Sequence, residues 1–340
     1  MQARTLDTQI FRAQALPGNI GFVIPTYNAG SYWDRFHAAL ERQGIPPEQI
    51  LVVDSSSTDG TRRRVKDAGY TLIEIPQKSF RHGGTRQLAA DSLPWADILV
   101  FLTQDAIPCG TDSIEQLLRA FEDPQVGAAY GRQLPREEAG PVERHARLFN
   151  YSEQSEVRTF ESRERLGFKA AFLSNSFSAY RRVALEAVGG FPRDAIICED
   201  TTVAGRLLID GWKIAYQADA KVIHSHALSV REESSRYFDI GVHHGREKWL
   251  LTAFGGAGGE GRAFVLSELR YLLKTQPTQI PSAFFRNLSK WAAYQLGLRE
   301  KRLPRVLKES FSTQPSFWRK DQDGEPSFSP DPHVAARRVH

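Results

Sequence analysis

Residues 19–25, 49–53 and 97–102 each carry a short, uninterrupted apolar run that ends at polar residues or a proline. A strand with one wet face alternates polar and apolar residues, so unbroken runs mean burial on both faces. That is the condition of a parallel sheet covered by helices. Between the first two runs, residues 31–43 carry Trp33, Phe36 and Leu40 at helical spacing and close at Gly44, which makes a β-α-β unit. Residues 71–75 and 126–131 add two more strands. The predicted class is α/β, a mixed but mostly parallel sheet flanked by helices. Ligands of such sheets bind beyond the carboxyl ends of the strands. Thr26, Tyr27 and Asn28 follow the first run, Asp54 the second, and Thr103-Gln104-Asp105-Ala106 the fourth strand.

The remaining polar motifs are read against that frame. Residues 55–61 form a loop in which Thr58 or Asp59 is placed to cap a helix over 61–68. The chain lacks a Gly-x-Gly-x-x-Gly or Walker pattern at this point, which argues against a dinucleotide or P-loop enzyme. Gly83-Gly84-Thr85-Arg86 opens a helix, where free N–H groups and a guanidinium suit a phosphate. Asp105 at a strand mouth needs a partner, and a metal-bound diphosphate would supply one. Ser174 and Asn175 cap a helix or line a pocket. Glu199-Asp200 begin a helical pattern after Gly189-Gly190-Phe191-Pro192, as a simple N-terminal cap or as a catalytic pair. His224 and His226 alternate, so on a strand they share a face, either as a surface pair or as metal ligands.

Composition bounds the rest. Hydrophobic residues make up 41% and charged residues 25%, as in an ordinary globular protein. The two cysteines, Cys109 and Cys198, leave no disulfide framework, which fits a reducing cytoplasm. The first 18 residues lack the apolar core of a signal peptide, and no stretch is long enough to span a bilayer. A net charge of +4 and a pI near 9.0 are mild, and no nucleic-acid recognition motif accompanies them. The basic excess is local. Ten Lys or Arg against two acids lie between Arg262 and Lys308.

Residues 231–254 read as one long helix ending in the glycine-rich break 255–259. Two helices with apolar stripes follow, around Phe264, Leu269 and Leu273 and around Phe284, Phe285, Leu288 and Trp291. Their basic flanks suit either packing on the main body or an anionic membrane surface. The expected organisation is a main domain over 1–254, with a nucleotide-binding half over 19–131 and an acceptor half over 132–254. A basic helical appendage over 255–320 and a loose tail over 321–340 complete it.

With these motifs in order, the chain resembles the family 2 glycosyltransferases of GT-A fold, and among them the bacterial rhamnosyltransferases of surface-polysaccharide assembly. Ile24-Pro25-Thr26-Tyr27-Asn28, Asp54-Ser55-Ser56-Ser57-Thr58-Asp59-Gly60-Thr61, His82-Gly83-Gly84-Thr85-Arg86, Thr103-Gln104-Asp105-Ala106, Glu199-Asp200 and His224-Ser225-His226 carry the likeness. The resemblance implies an inverting transfer of L-rhamnose from dTDP-L-rhamnose to a lipid-linked saccharide or lipopolysaccharide. The donor would lie on Pro25, Thr26, Tyr27, Asn28, Asp54, Ser56, Gly84, Arg86, Gln104 and Asp105. Asp200 would be the general base supported by Glu199, and Ser174, Asn175 and Arg236 would meet the acceptor. Asp105 would hold Mg²⁺ or Mn²⁺. It stands alone where the family pattern has two acids, so His224 or His226 is the expected helper. The implied location is the cytoplasmic membrane face, reached through the C-terminal helices, with a homo-oligomer left open. The competing readings are a UDP-hexose or UDP-GlcNAc donor and a non-catalytic sugar-nucleotide-binding subunit.

Overall fold

A computed structural model of the chain describes residues 18–256 and 258–322; the expected tail lies outside them from residue 323 on. Nine strands, β1 (Ile20–Thr26), β2 (Ile50–Asp54), β3 (Thr71–Glu74), β4 (Ile98–Leu102), β5 (Ile107–Pro108), β6 (Val126–Leu134), β7 (Glu156–Arg158), β8 (Phe177–Arg181) and β9 (Lys213–Ile223), form one mixed sheet. Its order is β3-β2-β1-β4-β8-β6-β9-β5, with β7 on β9. The β3-β2-β1-β4 part is parallel, and β4 passes to β8 in antiparallel fashion. Every residue of β2 and of β4 is buried, as unbroken apolar runs require. Parallel register sets Thr26 beside Asp54, so both polar strand ends open on the same edge.

Helices cover both faces. In the first half these are α1 (Gly30–Glu41), α2 (Thr61–Asp67), α3 (His82–Asp91) and α4 (Ser113–Leu118). Trp33, Phe36 and Leu40 of α1 point into one apolar core, with Ile24, Val52 and Val100. The second core, on the opposite face, holds Val23, Val53, Phe101, Phe191 and Leu207. The second half adds α5 (Pro141–Asn150), α6 (Arg163–Leu166), α7 (Arg182–Ala187), α8 (Glu199–Ile209), α9 (Val230–Arg246) and α10 (Lys248–Phe254).

Two local expectations change, and β9 is a single strand from Lys213 to Ile223. Its register against β6 skips between Gly131 and Arg132, and the extra residues of β9 are absorbed there. The helix expected over 231–254 is broken at Glu247 into α9 and α10. The helix over 61–67 has Gly60 at its cap in the left-handed region, and the Asp59 carboxylate accepts from the Thr61 amide at 3.1 Å.

Beyond the glycine-rich break come α11 (Gly258–Thr275), α12 (Ile280–Leu298) and α13 (Arg305–Phe311). Helix α12 lies against α9 through facing glycines. A Cβ on Gly297 would stand 2.1 Å from the Phe238 carbonyl oxygen, so only a bare backbone permits this approach. The apolar stripes of α11 and α12 are only partly used in packing. Leu272 and Ala283 are buried, whereas Leu269, Leu273, Phe284, Phe285, Leu288 and Trp291 face outward. No helix among the described residues is long and apolar enough to cross a membrane.

Candidate active site

Among the described residues, Asn28, Ser56 and Cys198 are the only non-glycine positions with positive φ, at 46°, 62° and 61°. All three lie on loops at the carboxyl edge of the sheet. Such backbone strain persists where surrounding bonds over-determine it, and it gathers at functional sites.

At the β1–β2 end the polar groups are tied into a scaffold. Thr26 Oγ1 donates to Asp54 Oδ2 at 2.8 Å, and the Ser57 amide and hydroxyl reach the same carboxylate at 2.8 and 2.6 Å. Asn28 donates its amide to Ser57 Oγ and accepts the Thr58 amide. Gln104 holds the Tyr27 backbone from both sides, accepting its N–H at 2.8 Å and donating to its carbonyl at 3.0 Å. Asp54 was expected to touch the nucleoside, yet it is fully buried with its oxygens occupied. It shapes the loop. The exposed Tyr27 ring at that loop's rim is the surface left for a base to meet. Pro25 ends the run inside β1, and Ser56 spends its hydroxyl on the Ile75 carbonyl.

The second cluster joins the end of β4 to the end of β9. Asp105 Oδ1 lies 3.4 Å from His224 Nδ1, and Oδ2 lies 3.1 Å from His226 Nε2. Ligand atoms of the three residues fall within 4.8 Å of one another. The His224 amide donates to the Leu134 carbonyl, and its Nε2 meets Ser176 Oγ at 3.2 Å. Burial drives the His224 pKa down to about 3, so the ring is neutral and its lone pair is available. Burial opposes charge on Asp105, but His226 and His224 outweigh it and hold the carboxyl well below the usual range. His224 Nδ1 is buried without a hydrogen-bond partner. One carboxylate, two imidazoles and an orphaned ring nitrogen fit a divalent cation, and the nitrogen ligands favour Mn²⁺ over Mg²⁺.

The third cluster sits at the start of α8. Glu199 is buried against Arg86, 2.9 Å from Oε1 to Nη1, and takes a 2.9 Å hydrogen bond from Asn175 Nδ2. Asp200 remains partly open and accepts from the Asn175 amide at 3.1 Å and the Thr201 amide at 2.8 Å. The two acids therefore diverge. Burial would raise Glu199, but Arg86, His82 and Asn175 hold its pKa below the ordinary value. Burial first, and then the Glu199 charge, push Asp200 up to about 6. A pair split this way provides one fixed anion and one proton acceptor working near neutrality. The Thr201 amide that Asp200 accepts is one of the free donors in the first turn of α8, so the carboxylate also serves the helix start.

Several expected contacts are redrawn. Arg86 and Gly84 were expected at the phosphates. Arg86 is instead buried in its pair with Glu199 and bonded to the His82 carbonyl. The glycines serve packing, since a Cβ on Gly83 would stand 1.9 Å from the Pro192 carbonyl oxygen and one on Gly84 3.1 Å from that of Arg193. Asn175 was expected to meet the acceptor. It is buried, and its Oδ1 already receives Ser178 Oγ and Tyr180 OH, so it braces both carboxylates. Ser174 Oγ accepts from Gln133 Nε2 at 2.9 Å. Arg236 is exposed on α9, without a hydrogen bond or ion pair among the described residues, and faces the same region: its charge reaches His82 and Cys198.

Sequence reading missed the last described segment, which closes the site from behind. The Thr313 amide donates to Asp239 Oδ2 at 2.8 Å, Gln314 Nε2 lies 3.4 Å from His82 Nε2, and Arg81 donates to the Ser316 carbonyl at 3.2 Å. Trp318 packs with Ile196 and Ile197, directly before α8. No local motif marks these contacts, and those to His82 and Arg81 span more than 230 residues.

Residues 22–189 match the family model of glycosyl transferase family 2. The O-antigen chain rhamnosyltransferase RfbN of Salmonella typhimurium is 45% identical over 300 residues, covering 88% of this chain and 96% of the relative. The chain is a family 2 glycosyltransferase. WbaN of Salmonella anatum, also an O-antigen chain rhamnosyltransferase, is 44% identical to this glycosyltransferase over 87% of it and 94% of WbaN. Among solved structures, the mannosyltransferase PcManGT from Pyrobaculum calidifontis, in complex with GDP-Man and Mn²⁺, aligns with a TM-score of 0.51 at 19% identity, over 88% and 85% of the two chains. The fold of the glycosyltransferase is thus GT-A, and the reading as a non-catalytic subunit falls away.

Proposed function

We propose that this glycosyltransferase moves L-rhamnose from dTDP-L-rhamnose to a saccharide of O-antigen or a lipid-linked precursor, with inversion and with Asp200 as general base. The rhamnosyl and O-antigen parts rest on the names of the relatives above 40% identity. The chemistry rests on one observation, the split carboxylate pair at the same sheet edge as the Asp105–His224–His226 cluster. In the transfer, the acceptor hydroxyl attacks the anomeric carbon from the face opposite the diphosphate. Asp200 takes its proton, and the electron pair of the breaking C–O bond leaves on the diphosphate. Glu199 stays ionised on Arg86 and keeps Asp200 basic, while Asn175 orients both. A divalent cation on Asp105, His224 and His226 would add Lewis-acid charge at the diphosphate. Asp200→Asn in a purified-enzyme assay is the test. Retained transfer sinks the base assignment, and a panel of dTDP-rhamnose, UDP-glucose and UDP-GlcNAc decides the donor.

The same reading places the enzyme on the inner face of the cytoplasmic membrane. Phe284, Phe285, Leu288 and Trp291 project from α12, and the exposed Arg270 and Lys274 flank Leu269 and Leu273 on α11. Aromatic and aliphatic side chains beside exposed cations suit an anionic bilayer. Changing the four α12 residues to Ser should abolish sedimentation with anionic vesicles. Unchanged sedimentation, or a dimer that turns monomeric, would assign the face elsewhere.

A further inference from the structure

Arg147 is a largely buried cation whose nearest acids act on it only from a distance: Glu143 and Asp105 favour its charge without forming an ion pair with it. It extends from α5, donates through Nη1 to Gln133 Oε1 at 2.8 Å, and leaves Nε buried and unpaired. No carboxylate lies within ion-pair distance of it among the described residues, although burial disfavours its charge and pulls its pKa down. Taking a charge out of water without an anion is costly, and a ligand anion is the usual remedy at a site. Its position says which anion. Gln133 precedes Leu134, whose carbonyl holds the His224 amide, and Gln133 Nε2 reaches Ser174, the neighbour of Asn175 that braces Asp200. The anchor of Arg147 therefore links the metal-type cluster to the base. The charge of Arg147 helps push His224 down, and Asp105 in turn favours it. Arg236, which has no hydrogen bond or ion pair among the described residues, adds a second positive charge that opposes that of Arg147. Two like charges that repel each other make a place for a multivalent anion.

We infer that Arg147 and Arg236 form a cationic clasp for a diphosphate, supplementing the lone carboxylate at the metal-type cluster. The anion is either the donor's diphosphate, which gains charge as the C–O bond to the sugar breaks and the pair of electrons passes to its terminal oxygen, or the diphosphate anchor of a lipid-linked acceptor. The inference rests on the proposed transfer only for those two sources.

The test compares full-length Arg147→Gln, Arg147→Lys and Arg236→Gln with the parent enzyme, using calorimetric titration with dTDP, UDP and thymidine, and steady-state kinetics. A donor clasp predicts at least a tenfold loss of nucleoside diphosphate affinity in Arg147→Gln and unchanged thymidine binding. It also predicts a fall in kcat of roughly 10²-fold or more, as when one charge-stabilising donor is removed, with partial recovery in Arg147→Lys. An acceptor clasp predicts unchanged dTDP affinity and a tenfold rise in acceptor KM. If both quantities stay within twofold while only the melting temperature drops, Arg147 merely clips Gln133 and the inference is overturned. Tighter binding of UDP than dTDP would unseat the proposed donor alone, because the Arg147 effect would follow the diphosphate and not the base.

Discussion

Replacing Asp200 by Asn should make this enzyme more stable at alkaline pH while destroying its activity. Folding raises the Asp200 carboxyl from an ordinary 3.8 to about 6, chiefly through burial and then through the Glu199 anion. A carboxyl with a raised folded-state pKa contributes stability that is full below pH 3.8 and lost as pH rises through about 6. Each pKa unit is worth about 1.4 kcal/mol, so the ionised group costs roughly 3 kcal/mol above both values, and partial solvent contact trims that to about 2. Asparagine never ionises, so it escapes this cost. It has one oxygen for the two amides, of Asn175 and Thr201, that Asp200 accepts, and one mismatched bond costs about 1 kcal/mol. The net expectation is that Asp200→Asn is about 1 kcal/mol less stable than the parent at pH 4 and about 1 kcal/mol more stable at pH 8. Thermal unfolding followed across that range reads the crossover as a few degrees of Tm. A difference of constant sign from pH 4 to pH 8 would refute a raised Asp200 pKa, and with it the division of labour between the two acids.

The same shift predicts kcat/KM rising with pH through about 6 and levelling above it, as Asp200 loses its proton; a flat profile from pH 5 to 8 would contradict a base of that pKa. Arg86→Ala strands the buried Glu199 anion and should cost about 3–5 kcal/mol in urea unfolding, whereas a phosphate-binding Arg86 would leave stability intact and raise the donor KM. Gly83→Ala forces a methyl onto the Pro192 carbonyl, so its melting temperature should fall, and an unchanged value would mean that the loop yields freely. His224→Ala should weaken Mn²⁺ binding in calorimetry by tenfold or more, while Ser225→Ala, whose hydroxyl only accepts the Arg136 amide, should not.

The parallel half of the sheet and its polar edge were legible because unbroken apolar runs have few alternatives to double-sided burial. Asp105, His224 and His226 were legible as individual ligands, since their chemistry is intrinsic to the side chains. Partnerships were not. Arg86 looked like a phosphate ligand because its sequence neighbours are glycines; its partner Glu199 lies 113 positions away and is reached only when α3 packs on α8. The division of Glu199 from Asp200 depends on the same contact, because without a buried cation adjacent acids push each other upward together. Asn175 carries no sign that four groups converge on it. Arg147 sits in a stretch that reads as ordinary charged helix, and only its burial, with Nε unpaired and no ion-pair partner among the described residues, distinguishes it from a solvated arginine.

The segment from Ser312 to Trp318 reaches the site only after every element it docks on has been synthesised. When the ribosome has released β1 through Gln104, the Thr26–Asp54 loop already has the partners that tie it down, and an N-terminal region of this size can fold as the chain emerges. Ile196 and Ile197 still lack Trp318, and His82 still lacks Gln314. A polypeptide ending at Phe311 is therefore expected to take up nucleotide yet turn over poorly, a decoy that competes for donor beside the complete enzyme. Measured dTDP binding without transfer in that truncated form would reveal the decoy, and full turnover would show that the terminal clasp is dispensable. On that expectation the arrival of residues 312–318 is a licence for catalysis, issued after the nucleotide-binding half is in place.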